Sequence, residues 1–288
     1  MQQDKHNEDT PGFAELDQAQ RDAAYNNSLA VSDSPERLRD WEQRSSVCRS
    51  LPSSRLDIRY GAKPNNRFDY FTTGDRRAPL FIFIHGGYWQ RNSKEVFGFV
   101  STGPCARGVN VATIGYSLAP AANLSEIVSE VFRAIDCIAS LADELGFDAQ
   151  RIFVGGWSAG GHLAALAADR AVVKGVISIS GIFDLEPIAL TYLNKELQLQ
   201  PFEVQTLAPI RNLARGNATM MLFVGGSELP ELQRQSRAYQ DCAQAAGLDV
   251  SMAVLPDLNH YTIMEELAAP EGAVTRSLLE LVARTADA

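Results

Sequence analysis

Six short, largely apolar runs recur along the chain, and segments long enough to form helices separate most of them. The first run, Leu80–Ile84, is apolar at every position, which is typical of a strand buried on both faces of a sheet. Alternation of such strands with helices indicates βαβ units. The sequence therefore predicts an α/β fold with a mostly parallel central sheet and helices on both faces. The other five runs are Asn110–Tyr116, Arg151–Gly155, Lys174–Ser180, Met220–Gly225 and Asp249–Leu255.

The remaining segments predict how the chain is organised around this sheet. Residues 1–55 are mostly polar, and we expect them to form short helices and irregular structure that pack on the main domain, residues 56–288. The stretch from Phe183 to Leu213 interrupts the alternation and carries three prolines around a helix-like segment, Ile188–Leu197. It is too long for a plain connection between a strand and a helix. We therefore expect a small cap insertion at 183–213.

Charge and composition exclude several classes of function. The 288 residues include 26 basic and 35 acidic side chains, a net charge of −9, without a basic run that nucleic acid or anionic lipid would require. The polar N-terminus lacks the apolar core of a secretion signal, and no stretch is apolar enough to span a membrane. Four widely separated cysteines form no metal-binding pattern. We expect a cytoplasmic protein that binds a small-molecule substrate and needs neither metal nor cofactor.

The strongest chemical signal is a GxSxG motif, Gly156–Gly160, which lies between a predicted strand and an Ala/Leu-rich helix, His162–Ala168. Small flanking residues permit the sharp turn that exposes a nucleophilic serine above a sheet, a feature typical of α/β-hydrolases. The helix that follows directs backbone N–H groups towards a developing oxyanion. We therefore predict that Ser158 is a catalytic nucleophile.

A serine nucleophile requires a base, and histidine is the usual base near neutral pH. The chain has four histidines. His6 lies in the polar N-terminal segment, His85 ends the first buried strand, and His162 is one helical turn beyond the serine, where its side chain is poorly placed. His260 follows the last predicted strand, and elimination selects it as the base.

In α/β-hydrolases the catalytic acid lies between the serine and the histidine in chain order, after the penultimate strand. Glu228 occupies that loop and is the predicted acid, with the longer glutamate replacing the commoner aspartate. Asp184 is the main alternative, and Glu231 is a weaker one. Asp257 is too near the histidine in sequence to face it.

A second glycine-rich turn follows the Leu80–Ile84 strand and begins with His85. Glycines leave main-chain N–H groups uncovered, so these groups can stabilise an oxyanion. We predict an oxyanion hole formed by the backbone of Gly86, Gly87 and Ala159. Three aromatic residues adjoin these motifs and are predicted to line the substrate pocket: Tyr88, Trp89 and Trp157.

With these motifs in place, the sequence resembles the kynurenine formamidase (arylformamidase) and carboxylesterase branch of the α/β-hydrolases. The resemblance extends from about Asp57 onwards, and its most discriminating motif is His85–Gln90, which resembles the HGGxW pattern of that branch. The entry strands near Tyr60 and Phe68, the segment Ser180–Leu185 and the turn Gly225–Pro230 also look like the family's. The resemblance implies the same triad and allows a homodimer, although the sequence indicates no interface.

The resemblance also implies an activity. We expect a serine hydrolase that cleaves an aryl formamide, such as N-formyl-kynurenine, to kynurenine and formate through an acyl-enzyme. A carboxylesterase for short-chain or aryl esters is the alternative within the same class, because the GxSxG motif alone indicates only a hydrolase. A non-catalytic small-molecule sensor on the same fold is a third hypothesis, since fold alone does not determine function.

Overall fold

The computed structural model describes residues 13–216 and 218–286, and an eight-stranded sheet forms its centre. The strand order is β1-β2-β4-β3-β5-β6-β7-β8. The β1, β2 and β4 strands pair antiparallel, whereas the pairs from β4 through β8 are all parallel. The predicted α/β-hydrolase fold is confirmed. The strands are β1 Ser54–Arg59, β2 Arg67–Phe71, β3 Leu80–Ile84, β4 Asn110–Ile114, β5 Ile152–Trp157, β6 Val173–Ile179, β7 Thr219–Gly225 and β8 Val250–Leu255.

Helices precede the sheet, lie in the connections from β3 onwards and follow the last strand. Short 3-10 helices are found at Phe13–Glu15, Lys94–Ser101 and Thr262–Met264. The α-helices in the described residues are α1 Gln18–Ala23, α2 Asn27–Ala30, α3 Ser34–Arg49, α4 Thr102–Ala106, α5 Leu124–Ser140, α6 Ala142–Leu145, α7 Ala159–Ala167, α8 Glu186–Ala189, α9 Asn194–Leu197, α10 Pro201–Thr206, α11 Pro230–Ala245, α12 Glu265–Ala268 and α13 Ala273–Ala286.

The hydrophobic core lies on both faces of the sheet, because successive side chains of a strand point to opposite faces. In β3, Ile82 and Ile84 join a cluster with residues of α5, α7 and α11, whereas Phe81 and Phe83 join a second cluster with residues of α3 and α13. All five residues of β3 are buried. This two-sided burial explains why β3 is an uninterrupted apolar run rather than an alternating one.

The N-terminal segment packs against the second of these clusters through α3. Trp41 is almost fully buried, and its ring stacks on Phe99 at 5.1 Å between centroids and meets the edge of Trp157 at 5.5 Å. The Trp41 indole N–H donates to Glu265. One buried aromatic residue therefore attaches α3 to the face of the domain that carries the serine motif.

The segment between β6 and β7 contains three short helices, α8, α9 and α10. The sequence predicted one helix at Ile188–Leu197, but two short helices, α8 and α9, occupy this region, with a turn between them. The apolar side chains of Ile188, Leu193 and Leu197 are buried in the main core. The insertion is thus packed on the domain. Of the helices described, none combines the length and apolar character needed to cross a membrane.

Candidate active site

Ser158 lies on the sharp turn between β5 and α7. Its backbone has φ 58° and ψ −118°, a conformation that a non-glycine residue rarely adopts and that costs on the order of 1–3 kcal/mol. The Ser158 N–H donates to Ile179 O at 2.8 Å, and Ser158 O accepts from His162 N at 3.1 Å. These bonds hold the serine in the strained geometry of a nucleophile elbow, as the motif predicts.

The glycines of the motif are required because neighbouring backbone passes very close to them. A Cβ atom on Gly160 would lie 2.0 Å from Ile84 O, and a Cβ atom on Gly156 would lie 2.3 Å from Gly160 O. No side chain can occupy such positions. The GxSxG spacing therefore allows the β5–α7 turn to pack directly against the end of β3.

Glu228 and His260 form a buried pair at the carboxyl edge of the sheet. His260 Nδ1 lies 2.7 Å from Glu228 Oε2. The other carboxylate oxygen, Oε1, accepts from Gly225 N at 2.7 Å and from Ser180 Oγ at 2.6 Å. With its carboxylate held at both oxygens, Glu228 fixes the orientation of the imidazole.

The alternative acids are engaged elsewhere. Asp184 accepts from Glu186 N at 3.1 Å and lies 4.0 Å from the Arg211 guanidinium. Glu231 accepts from Tyr25 and pairs with Arg234. The structure thus brings Glu228, rather than either alternative, to His260.

The other two described histidines are buried and occupied by structural contacts. His85 stacks on Tyr116 at 4.2 Å between ring centroids and contacts Gly86 O through Nδ1 at 2.9 Å. His162 contacts Leu207 O through Nε2 at 2.8 Å. Burial lowers the pKa of both imidazoles to about 4. Both are therefore neutral in the folded protein at neutral pH.

We expect these two histidines to make the fold sensitive to acid. In the unfolded chain an imidazole binds a proton near pH 6.5, so between pH 6.5 and 4 the unfolded state binds more protons and folding loses stability as pH falls. The free energy of unfolding should fall by about 2–3 kcal/mol per histidine between pH 7 and pH 4.5. Urea unfolding at the two pH values measures the loss.

The matched variant for this measurement is His162→Gln, which removes one of the two depressed imidazoles. Buried carboxylates contribute equally to the pH dependence of both proteins, so the difference isolates the histidine. The free energy of unfolding of the variant should depend less steeply on pH, by the equivalent of about one bound proton. Identical slopes for the two proteins would contradict the assignment.

The predicted oxyanion donors lie beside the serine. A Cβ atom on Gly86 would be 3.0 Å from Ser158 Cβ, so the turn after β3 touches Ser158 directly. In the described part of the chain, the N–H groups of Gly86 and Gly87 donate no hydrogen bond to another residue. Ala159 is the first residue of α7, where the N–H group has no partner within the helix. Three uncommitted donors therefore border Ser158.

Replacing Gly86 with alanine should disable this turn. The new Cβ would lie 2.6 Å from Trp157 O and 2.7 Å from the Trp157 ring, so the turn must move away from the serine. We expect kcat to fall about 100-fold because misplacing an oxyanion donor costs that much. Steady-state kinetics measures the loss, and thermal unfolding distinguishes it from a folding defect. A folded variant with unchanged kcat would show that Gly86 does not contribute to the oxyanion hole.

A cavity of about 70 Å³ adjoins Ser158 and His260. The N-terminal segment supplies part of its wall, because Asn27 and Ser28 line it and hydrogen-bond to Tyr88 and Tyr261, at 2.9 Å and 3.1 Å between side-chain atoms. The lining residues are Asn27, Ser28, Leu38, Gly87, Tyr88, Arg91, Asn92, Trp157, Ser158, His260 and Tyr261.

The three aromatic residues predicted to line the pocket have different positions. Tyr88 and Trp157 line the cavity. The Trp157 indole N–H also donates to His260 O at 2.8 Å, so this side chain positions the loop that carries His260. Trp89 is wrong as a pocket residue. It is fully buried and packs edge-on against His162, because the turn directs its ring into the core.

Sequence reasoning missed several residues of the site. Asn27, Ser28 and Leu38 come from the polar N-terminal segment. No local pattern in this segment indicates that it contacts Tyr88 and Tyr261, which lie far along the chain. Ser180 contacts Glu228 and carries positive φ at 51°. Two signals covered it: its position at the carboxyl end of a predicted parallel strand, where ligands and catalytic groups collect, and its place in the family-like segment Ser180–Leu185.

This arrangement can perform acyl hydrolysis: a strained serine, a histidine held by a buried carboxylate, and free backbone donors meet at one cavity. Together the fold and the site define a hydrolase of the α/β-hydrolase fold.

Comparisons with known proteins extend this conclusion. A profile of the BD-FAE family matches residues 70–198. A kynurenine formamidase of Salmo salar is 32% identical over 254 residues, which cover 82% of this chain and 85% of that protein. One from Danio rerio is 29% identical over 252 residues, with the same coverage. The chain belongs to the kynurenine formamidase family, and it is a hydrolase that acts on formamide or ester substrates.

Solved structures support the fold. A protein from Silicibacter sp. TM1040 superposes with a TM-score of 0.80 at 27% identity, covering 90% of this chain and 98% of that one. Esterase B from Lactobacillus rhamnosis superposes with a TM-score of 0.71 at 17% identity, covering 89% and 97%. The second likeness concerns the fold alone.

Proposed function

We propose that the chain is a serine hydrolase whose preferred substrate is an aryl formamide such as N-formyl-kynurenine. The observation that carries the proposal is the hydrogen bond between His260 and Glu228 at a cavity that Ser158 also lines. The two fish relatives that are named kynurenine formamidases support a formamide substrate.

In the first step, Ser158 Oγ attacks the formyl carbon and its proton moves to His260 Nε2. The carbonyl electron pair moves onto oxygen, and the N–H groups of Gly86, Gly87 and Ala159 stabilise the oxyanion. Glu228 stabilises the imidazolium through Nδ1. The N–H groups are fixed by the turn and helix that carry them, so they require little reorganisation as charge develops.

Collapse of the oxyanion breaks the C–N bond, whose electron pair leaves with the nitrogen, and His260 gives that nitrogen its proton. An aryl amine leaves more readily than an alkyl amine because its lone pair is delocalised into the ring. Water then attacks the formyl ester on Ser158 while His260 takes its proton. Breakage of the ester bond releases formate, and the imidazole returns a proton to Ser158 Oγ.

A short-chain carboxylesterase is the second candidate. The same groups cleave esters with an alkoxide in place of the amine. The two candidates therefore differ in the leaving group and share the mechanism.

A parallel kinetic comparison tests the proposal. N-formyl-kynurenine, para-nitrophenyl acetate and para-nitrophenyl butyrate are supplied to the wild type, with Ser158→Ala as the blank. We expect kcat/KM for the formamide to exceed that for both esters. Efficient ester cleavage with negligible formamide turnover would establish the second candidate instead. Ligand binding by Ser158→Ala without wild-type turnover of any substrate would contradict both and favour a sensor.

A further inference from the structure

We propose that Arg91 binds a carboxylate carried by the leaving group, so that the enzyme selects substrates that carry this carboxylate over otherwise identical ones that lack it. The inference rests on the proposed function, because it assigns the chemistry of the leaving group at the same site. The formyl carbon carries only hydrogen, oxygen and the amide nitrogen. Any carboxylate of an aryl formamide therefore belongs to its amine half.

Arg91 is attached to the turn that carries the oxyanion donors. Gly87 O accepts from the backbone N–H groups of Gln90 and Arg91, both at 3.0 Å. The next side chain back, Gln90, donates from Nε2 to Leu193 O at 2.9 Å, which ties the turn to the insertion between β6 and β7. The backbone of Arg91 is thus fixed relative to Ser158, while its side chain is exposed and lines the same cavity.

Arg91 differs in charge from the other residues that line the cavity. Apart from the imidazole of the base, Arg91 is the one basic residue among those lining the cavity, and no acidic residue lines it. Within residues 13–216 and 218–286, no carboxylate lies within 4.0 Å of its guanidinium, in contrast to Arg44 and Arg49, which both pair with carboxylates. An unpaired guanidinium at a cavity entrance is a ready partner for an incoming anion.

Two tyrosines, Tyr88 and Tyr192, indicate which parts of the site the positive charge of Arg91 reaches. Burial raises the pKa of the Tyr192 phenol, and the positive charge of Arg91 opposes that rise. The same opposition applies at Tyr88, where burial is again the largest cause of the raised pKa. The charge of Arg91 therefore reaches both Tyr88, on the cavity wall, and Tyr192, in the segment between β6 and β7.

The amino acid half of N-formyl-kynurenine is zwitterionic and has no net charge, so its carboxylate has to be recognised by a short-range contact rather than by the long-range field of the protein. A guanidinium at the entrance supplies the short-range attraction and can bind a carboxylate through two parallel hydrogen bonds. This bond also fixes the aryl amine relative to the scissile carbonyl, which favours productive orientation.

The test compares a matched pair of substrates: N-formyl-kynurenine and its carboxamide, which differ only in the carboxylate. The readout is the ratio of kcat/KM for the acid to kcat/KM for the amide. Arg91→Gln should lower this ratio about 10- to 100-fold, mainly through KM of the acid. Arg91→Lys keeps the charge and should restore part of the ratio. Arg237→Gln, on the exposed side of α11, is the matched control and should keep the wild-type ratio.

The dependence of KM on ionic strength is a second readout, and a merely structural role of Arg91 would not change it. KM of the acid should rise with ionic strength in the wild type and lose most of that dependence in Arg91→Gln. An unchanged ratio in Arg91→Gln, or equal losses for acid and amide, would overturn the proposal.

An ester pair separates this inference from the proposed formamidase activity. The acetate esters of 3-hydroxybenzoate and 3-hydroxybenzamide carry the same difference of one carboxylate. If the formamides are not cleaved but the ester ratio falls in Arg91→Gln, the formamidase proposal fails and the role of Arg91 stands. If the formamides are cleaved and neither ratio changes, the formamidase proposal stands and the role of Arg91 fails.

Discussion

Ser158→Ala is expected to lower kcat by about 10⁴- to 10⁶-fold for formamide and ester substrates alike. In the proposed mechanism Ser158 Oγ forms the covalent bond of the acyl-enzyme, so without it the oxyanion donors can only assist direct attack by water. His260→Ala should cause a similar loss, because the serine proton then has no acceptor. The double variant should be little worse than either single one, since the two groups act as a unit. Single-turnover kinetics measures these losses.

Ser236→Ala is the matched control for the nucleophile. Ser236 is also a buried serine, but it lies on α11 and its hydroxyl donates to Leu232 O at 2.9 Å. The control should keep kcat and lose only a modest part of the free energy of unfolding. A Ser158→Ala protein that retains a tenth or more of wild-type kcat would contradict a serine mechanism.

Much of the sheet could be predicted because each buried parallel strand is a local apolar pattern. The six strands β3 to β8 lie where the apolar runs predicted them, with ends that differ by at most two residues, as at the end of β4. The nucleophile turn was equally local, since its serine and glycines occupy five consecutive positions. His260 required only elimination among four histidines. In each case the signal lies within a few residues of the structure that it predicts.

The remainder of the site depends on contacts between distant parts of the chain. The polar segment around Asn27 and Ser28 reaches the cavity through contacts with distant residues. Asn27 and Ser28 hydrogen-bond to Tyr88 and Tyr261, and Trp41 packs against aromatic residues that lie more than fifty positions away along the chain. Trp89 adjoins the oxyanion turn in sequence, yet its ring points into the core. Neighbourhood along the chain predicts which loop a residue belongs to, whereas the direction of its side chain depends on packing against other elements.

Glu228→Gln should lower kcat on the order of 10³- to 10⁴-fold while the protein remains folded. The loss follows from the partners of the two carboxylate oxygens. Gly225 N–H donates to Oε1 and cannot reverse its direction, so the amide oxygen of the glutamine must occupy that position. The amide NH₂ then faces His260 Nδ1, which must give up its proton to accept a hydrogen bond. The imidazole is thereby fixed with its proton on Nε2, where it cannot accept the proton of Ser158.

Asp184→Asn is the matched control, because it makes the same chemical change at the alternative acid and should leave kcat near the wild-type value. A silent Glu228→Gln together with an inactive Asp184→Asn would reverse the assignment of the acid. The imidazole itself provides a further readout: NMR of the ring protons should show the Nδ1 proton, hydrogen-bonded to Glu228, in the wild type and its absence in Glu228→Gln. A purely structural role for Glu228 would lower the free energy of unfolding without changing this tautomer. Loss of activity together with the change of tautomer therefore identifies Glu228 as the group that sets the proton position on the base.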